Sequence, residues 1–340
     1  MRAIVHDTTG DSSVLRLEER PEPQPGPGEV RVRVAVSGVN PTDWKRRSGG
    51  SGPVQPGTTP NQDGAGVVDA VGPGVVAPVV GERVWILLAQ HERSTGTAQE
   101  AVVLPVERVV PLPEGASFDL GASLGVPALT AHRALTVDEG GPARLAPGVL
   151  EGRTVLVTGG AGAVGHAAIQ LAAWAGARVI TTISSPEKAA LATAAGAHHA
   201  VDYTGDDPAA EIRRLVPDGV DTVVDVDLIR NAGLVQQVLA GSGTVAVYAN
   251  SGTDLVLPMR PFMALNARVQ FVLLYGVDPA TIAAATADVT DAVRDGALPV
   301  GERAGLPLHR FPLERTADAH DAVEAGAVGK VLIDVAPDAG

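Results

Sequence analysis

The chain has 340 residues, 45% of them hydrophobic and 19% charged, with a formal net charge of −13 and no cysteine. That length and composition suit two globular domains, each with its own core. The acidic balance disfavours nucleic acid and acidic membrane surfaces as partners. The missing cysteine excludes disulfides, a thiol nucleophile and Cys-ligated zinc, and no apolar run is long enough to span a bilayer.

In chain order, Arg2-Ala3-Ile4-Val5 begins as a strand, not as an apolar leader, so the expected address is the cytoplasm. Pro21 to Gly28 is a Pro/Gly-rich loop. After it, Val30, Val32, Val34 and Val36 alternate with Arg31, Arg33 and Ala35, the period of a half-buried strand. Short β-like runs follow at Gly66-Val67-Val68, Arg83-Val84-Trp85-Ile86 and Ala101-Val102-Val103, separated by Gly/Pro turns. From Gly125 the rhythm becomes strand–helix alternation, with strands predicted at 154–158, 178–183, 199–202, 221–225, 244–248 and 269–274. Helices are predicted at 163–175, 186–195, 230–240 and 279–295, the last capped by Gly296, and a closing strand at 330–335. The pattern predicts an α/β chain: residues 1–126 with 275–340 form a mostly antiparallel β domain, and 127–274 form an inserted doubly wound domain.

The most informative stretch is the apolar strand Thr154-Val155-Leu156-Val157-Thr158. It runs into Gly159-Gly160-Ala161-Gly162-Ala163-Val164-Gly165 and then a helix. A strand, a turn of small residues and a helix N-terminus together make a site for a dinucleotide pyrophosphate. The second strand ends in Ile183-Ser184-Ser185-Pro186-Glu187-Lys188, with no acid at its tip to hold a ribose 2′-hydroxyl. Two hydroxyls and a lysine suit a 2′-phosphate, which favours NADP(H) over NAD(H). Ser184 and Ser185 also read as a helix cap and Lys188 as a solvated residue, and the two readings are compatible. Tyr203, after the third strand, is placed along the adenosine edge.

With these residues in hand, the chain resembles the zinc-independent quinone oxidoreductases of the medium-chain dehydrogenase/reductase superfamily, and most closely the zeta-crystallin-like branch. The segments that carry the resemblance are Gly38-Val39-Asn40-Pro41-Thr42-Asp43-Trp44-Lys45, Gln62-Asp63-Gly64-Ala65-Gly66, the run from Gly121 to Leu135, and the Gly-rich turn, in that order. The resemblance implies a GroES-like catalytic domain and a Rossmann domain. In zinc-dependent relatives a Cys near Pro41-Thr42 and a His near Gln62 hold the metal. This chain has Gln62 and no Cys, so that zinc chemistry lacks its ligands. No metal site is expected.

Carried over residue by residue, the resemblance implies that Gly160, Ala161, Gly162, Ala163 and Val164 cradle the pyrophosphate. Ser184, Ser185, Lys188 and Tyr203 would surround the adenosine phosphate, and Asn231, Ala249, Asn250 and Ser251 would line the groove. The backbone of Val272, Leu273 and Leu274 would meet the carboxamide, with Asn40 and Thr130 near the nicotinamide. Strand 269–274 pairs across a two-fold axis in many relatives, which implies a homodimer. One departure stands out: many members carry a Tyr where this chain has Lys45, next to Trp44.

The implied reaction is hydride transfer from NADPH to a quinone, which needs close approach and a donor for the developing oxyanion. Asn40 is the candidate neutral donor, Asp43 orients its loop, Gln62 hydrogen-bonds nearby, and Trp44 offers an aromatic wall in place of the Tyr. Each also reads as a buried residue that fixes local structure. His91 is expected to be a loop histidine in water, and His132 to pack or cap. Two alternatives stay open: reduction of α,β-unsaturated carbonyls or enoyl thioesters, and a non-catalytic NADPH-binding protein. A carrier-bound substrate would need a basic patch, for which Arg31, Arg33, Lys45, Arg46 and Arg47 are the candidates.

Overall fold

The structure, a computed structural model, describes residues 1–50, 52–252 and 254–336. The chain divides into two compact units, Met1–Val126 with the chain from Pro307 onward, and Pro127–Leu306. The sequence reading set the return boundary at 275, whereas the contacts set it at 307. Residues 275–306 pack with the second unit, where Asp288 bonds the side chains of His132 and Arg144 and the backbone N–H of Leu145.

The first unit starts with β1 (Arg2–Val5) and β2 (Arg16–Glu19), an antiparallel pair. Next come β3 (Glu29–Val39), α1 (Pro41–Arg47), β4 (Asp63–Val71), β5 (Arg83–Ile86), β6 (Ala101–Pro105), β7 (Val109–Pro111) and α2 (Phe118–Leu135). The segment read as a loop around 41–47 is thus a helix. Pro41 occupies its first turn, where a missing N–H costs nothing, and Asn40 caps it. The division between the units falls inside α2, at Pro127, which brings no N–H to the helix ladder.

The second unit continues with β8 (Thr154–Thr158), α3 (Ala163–Trp174), β9 (Arg178–Ile183), α4 (Pro186–Ala194), β10 (His199–Asp202), α5 (Pro208–Leu215) and β11 (Val220–Asp225). It closes with α6 (Leu228–Val238), β12 (Leu239–Val247), α7 (Met259–Ala264), β13 (Arg268–Phe271) and α8 (Pro279–Arg294). The strands pair in parallel in the order β10-β9-β8-β11-β12-β13. Numbered from β8, that is 3-2-1-4-5-6, the doubly wound order whose switch point lies between the first and fourth strands. Its core gathers Leu156, Ile180, Val223 and Val245 from the sheet with Ile212 and Val235 from the helices. Gly296, at φ 72°, ends α8 as the sequence predicted.

Two strands differ from the reading by more than one residue. β12 starts at Leu239, which pairs with Val220 before a register shift. β13 stops at Phe271; Val272 N–H still bonds Val247 O, but Leu274 enters a 3-10 turn. The chain then returns to the first unit as β14 (Leu308–Pro312), α9 (Thr316–Glu324) and β15 (Lys330–Asp334). There the sheet runs β14-β15-β3-β4-β5-β7, with β6 also on β3. Alternating valines of β3 meet Ile86, Leu104, Val331 and Ile333 in its core.

Candidate functional site

At the switch point of the second unit, Thr158 ends β8 and Asp225 ends β11. The Thr158 hydroxyl lies 3.2 Å from Asp225 Oδ2, which also accepts from Asn231 Nδ2 at 3.1 Å. Burial above all pushes the Asp225 carboxyl up to about 6, against the opposing bonds from Asn231, the Asp227 N–H and Thr158. Asn231, predicted to line the groove, is therefore fixed beside it.

The Gly-rich turn is shaped by two close approaches. A Cβ on Gly160 would lie 2.2 Å from Thr181 Oγ1, and one on Gly165 would lie 2.4 Å from the carbonyl of Gly159. A Cβ on Gly162 would meet only the Gly159 carbonyl, at 3.4 Å. Gly162 caps α3 without a side chain, and no acid occupies the first turn. The amides of Ala163, Val164 and Gly165 thus begin a helix whose dipole is uncompensated, the arrangement that receives a pyrophosphate. The residues fit the group, and Gly165 also lets helix and strand meet.

At the tip of β9, Lys188 Nζ lies 3.0 Å from Ser184 Oγ, while Ser185 caps α4 through the Lys188 N–H at 3.3 Å. The Tyr203 N–H bonds Ile183 O at 3.0 Å, which brings the exposed tyrosine to the same strand end. Ser184, Ser185, Lys188 and Tyr203 are brought together. Beyond β12 and β13, Ala249, Asn250, Val272 and Leu273 line a cavity of about 370 Å³ with Leu228 and Ile229. Ser251 and Leu274 are not among its lining residues, and Asn250 Oδ1 accepts from the Gly252 N–H. Thr130 is buried on α2.

In the first unit, register builds a buried polar cluster. β3 pairs Gly38 with Asp63 of β4 and Val39 with Val331 of β15, which sets Asn40, Asp63 and Lys330 side by side. Asn40 Nδ2 donates to Asp63 Oδ2 at 2.7 Å, and Lys330 Nζ donates to Asn40 Oδ1 at 2.7 Å. Asp63 Oδ1 accepts from the Val126 N–H at 2.9 Å. A Cβ on Gly38 would lie 2.1 Å from Ala122 O, so only glycine admits α2 here. Asp43 accepts from the Asn40 N–H at 2.7 Å, and burial, then the charge of Asp63, push its carboxyl up to about 8. Burial likewise raises Asp63 and lowers Lys330 from their ordinary values.

The other sequence candidates take structural positions. Gln62 is buried and its Oε1 accepts from the Gln90 N–H at 3.1 Å. Trp44 is half-buried, with Lys45 Nζ 5.8 Å from its ring centroid. His91 is half-buried in its loop, and its carbonyl accepts from Arg108. His132 packs, as expected, with Nε2 2.8 Å from Asp288. Lys330 and the side-chain role of Asp63 escaped the sequence reading, although both lie in segments it singled out.

Comparison with known proteins places the chain in a family. A family model described as "Alcohol dehydrogenase GroES-like domain" matches residues 26–114, and one described as "Zinc-binding dehydrogenase" matches residues 163–291. Human quinone oxidoreductase is 30% identical over 301 residues, covering 87% of this chain and 86% of its own. The chain belongs to the quinone oxidoreductases of the medium-chain dehydrogenase/reductase superfamily. It is thus an oxidoreductase, built from a GroES-like and a Rossmann domain. A mycobacterial protein solved in complex with NADPH is 31% identical, with a TM-score of 0.81 over 98% of this chain and 99% of its own. A structure named as an NAD-dependent alcohol dehydrogenase is 30% identical, with a TM-score of 0.87 over 99% and 100%. Among the described residues no helix is long and apolar enough to cross a membrane.

Proposed function

We propose that this chain reduces quinones with NADPH and without a catalytic zinc. The observation that carries the reading is the Lys188 ammonium held 3.0 Å from Ser184 Oγ at the tip of β9, a strand that ends without an acidic residue of its own. The NADPH complex of the mycobacterial relative supports the same donor. When bound, NADPH supplies the hydride.

The chain's own residues do the rest. The turn from Gly160 to Val164 receives the pyrophosphate, and Ser184, Ser185, Lys188 and Tyr203 receive the adenosine phosphate. Asn231, Ala249, Asn250 and Ser251 line the groove, Val272 to Leu274 offer backbone groups to the carboxamide, and Thr130 faces the nicotinamide. Asn40 donates to the acceptor oxygen: Lys330 engages its Oδ1, and one Nδ2 hydrogen goes to Asp63, which leaves the second for the oxyanion. The lysine on Oδ1 polarises the amide and strengthens that donor. Asp43 and Asp63 are positioning residues for Asn40, Gln62 holds the neighbouring Gln90 loop, and Trp44 walls the acceptor. A divalent ion beside Asp63 would meet the Lys330 ammonium, 3.4 Å from Asp63 Oδ2, and like charges at that range repel strongly when buried.

β13 lies at the sheet edge with Phe271 64% and Leu273 67% exposed, which supports a homodimer joined through this edge. Sedimentation velocity of the F271E variant against the parent chain tests it: the variant should sediment as a monomer, and an unchanged dimer rejects the edge. For the reaction, NADPH and NADH oxidation is followed with a small quinone and an enone in parallel. Quinone-dependent turnover that prefers NADPH is expected. Turnover with the enone alone would make the chain an alkene reductase, and NADPH binding without any reduction would make it a nucleotide-binding module.

A further inference from the structure

The basic residues that the sequence offered as a patch have very different fates. Arg31 and Arg33 share the Asp69 carboxylate, at 2.8 and 2.7 Å, and Arg33 also reaches Glu22. Arg47 is buried against Glu324 and Asp321. The side chain of Arg46, next to Arg47 on α1, forms no ion pair or hydrogen bond among the described residues, and its Nε is buried without an acceptor.

Arg46 lines a cavity of about 470 Å³, within the range of small-ligand sites, together with Gln55, Thr58, Arg93, Ser94 and Thr95. Arg93 bonds the Val103 carbonyl and stands 3.6 Å from Glu29, yet its Nε is also buried with no acceptor. Two guanidinium groups therefore line one polar cavity with three hydroxyls. Both Nε atoms are closed off from solvent, so a ligand there would meet the terminal nitrogens, and those of Arg46 have no acceptor among the described residues; a guanidinium binds an oxyanion through paired N–H groups. Burial above all holds the nearby His91 below its ordinary value; Glu92 opposes this, and Arg108 and Arg46 add to it. Glu92 also lines the cavity, but it is exposed and pairs with neither arginine among the described residues.

We propose that this pocket takes an oxyanion, so that the acceptor reduced by this chain carries a carboxylate or phosphate group. The second half of the statement rests on the reductase reading above; the first does not. Asn40 caps the helix that bears Arg46, and at about 1.5 Å of rise per residue the two positions are roughly 9 Å apart along its axis. A ligand with its carbonyl at one end and its anionic group at the other spans that distance.

The test has two arms. Benzoate and inorganic phosphate are titrated calorimetrically into the parent chain, Arg46→Gln and Glu92→Gln. One of the anions should bind the parent, about tenfold more weakly in R46Q and more tightly in E92Q, a gain that misfolding cannot produce. The tighter of the two tells carboxylate from phosphate. Binding of neither anion, or binding that R46Q leaves unchanged, overturns the pocket. In the second arm, kcat/KM is compared for a naphthoquinone and its sulfonate. The sulfonate-to-parent ratio should fall about tenfold in R46Q. An unchanged ratio with both quinones reduced overturns the anionic acceptor; anion binding that depends on Arg46 with neither quinone reduced keeps the pocket and rejects the reductase reading.

Discussion

Lys330 donates from its buried ammonium to Asn40 Oδ1 at 2.7 Å, across 290 residues of chain, and so ties the last strand to the cap of the first helix. The same ammonium lies 3.4 Å from Asp63 Oδ2, and both side chains are almost wholly removed from solvent. Replacing Lys330 by Met would leave Asp63 buried without its cation. The expected loss is about 3–5 kcal/mol in urea unfolding. The double variant K330M/D63N should recover much of it, since no charge is then left unpaired. A K330M chain within about 1 kcal/mol of the parent would mean that the pair contributes little.

Stability should depend on pH with two opposing signs. His320 is buried, with Nε2 2.9 Å from Asn61 Oδ1, and burial first, then Arg47 and His6, lower its pKa to about 3. The unfolded chain takes that proton near 6.5, so stability falls as the pH drops from 6.5 towards 3. Asp43 acts the other way. Raised from 3.8 to about 8, it keeps a proton that the unfolded chain has lost, so its contribution is complete below 3.8 and lost as the pH rises to about 8. Between pH 6.5 and 8 the Asp43 slope should amount to about 1–2 kcal/mol, and D43N should remove it. Equal slopes in parent and variant, by urea unfolding at three pH values, would refute the assignment.

The phosphate reading of the β9 tip predicts an asymmetry between the two nicotinamide donors. Lys188→Ala should raise KM for NADPH about tenfold or more and leave KM for NADH nearly unchanged, because only NADPH presents a phosphate to lose. Ser184→Asp should weaken NADPH further and improve NADH, as a carboxylate repels phosphate and accepts from a ribose hydroxyl. Steady-state kinetics with both donors decide it; equal losses for both would place Lys188 elsewhere on the nucleotide.

The glycines of the turn should separate folding from binding. Gly165→Ala drives a Cβ to 2.4 Å from a backbone carbonyl, so the helix must shift, at a cost of about 1–3 kcal/mol. Gly162→Ala meets nothing closer than 3.4 Å and should keep stability within about 1 kcal/mol. Because Gly162 begins α3 where the pyrophosphate is placed, its methyl group should nevertheless weaken NADPH severalfold. Thermal unfolding and a nucleotide titration on the two variants show whether this separation exists.

The second unit was largely legible because buried parallel strands are continuous β-branched runs that need no partner to be recognised. The Gly-rich turn could be read for the same reason: its meaning is local. α1 was not, since Pro41-Thr42-Asp43-Trp44 shows no periodic apolar face and the helix is set by Asn40 and Pro41. Lys330 reads as an ordinary charged flank of an apolar strand. It is buried only because β15 is sandwiched between β14 and β3, a pairing that sequence spacing does not disclose. The return boundary failed likewise, because α8 joins the second unit through Asp288, whose partners lie about 140 to 160 residues away.

The insertion of one unit within the other has a consequence for biosynthesis. The second unit is contiguous, so it can complete its sheet as it leaves the ribosome, whereas the Val36–Val39 end of β3 waits for β15. Until that strand arrives, Asp43 and Asp63 lack the Lys330 ammonium that acts on both. A nascent chain therefore carries an incomplete sheet, and the strand that completes it also delivers the missing charge.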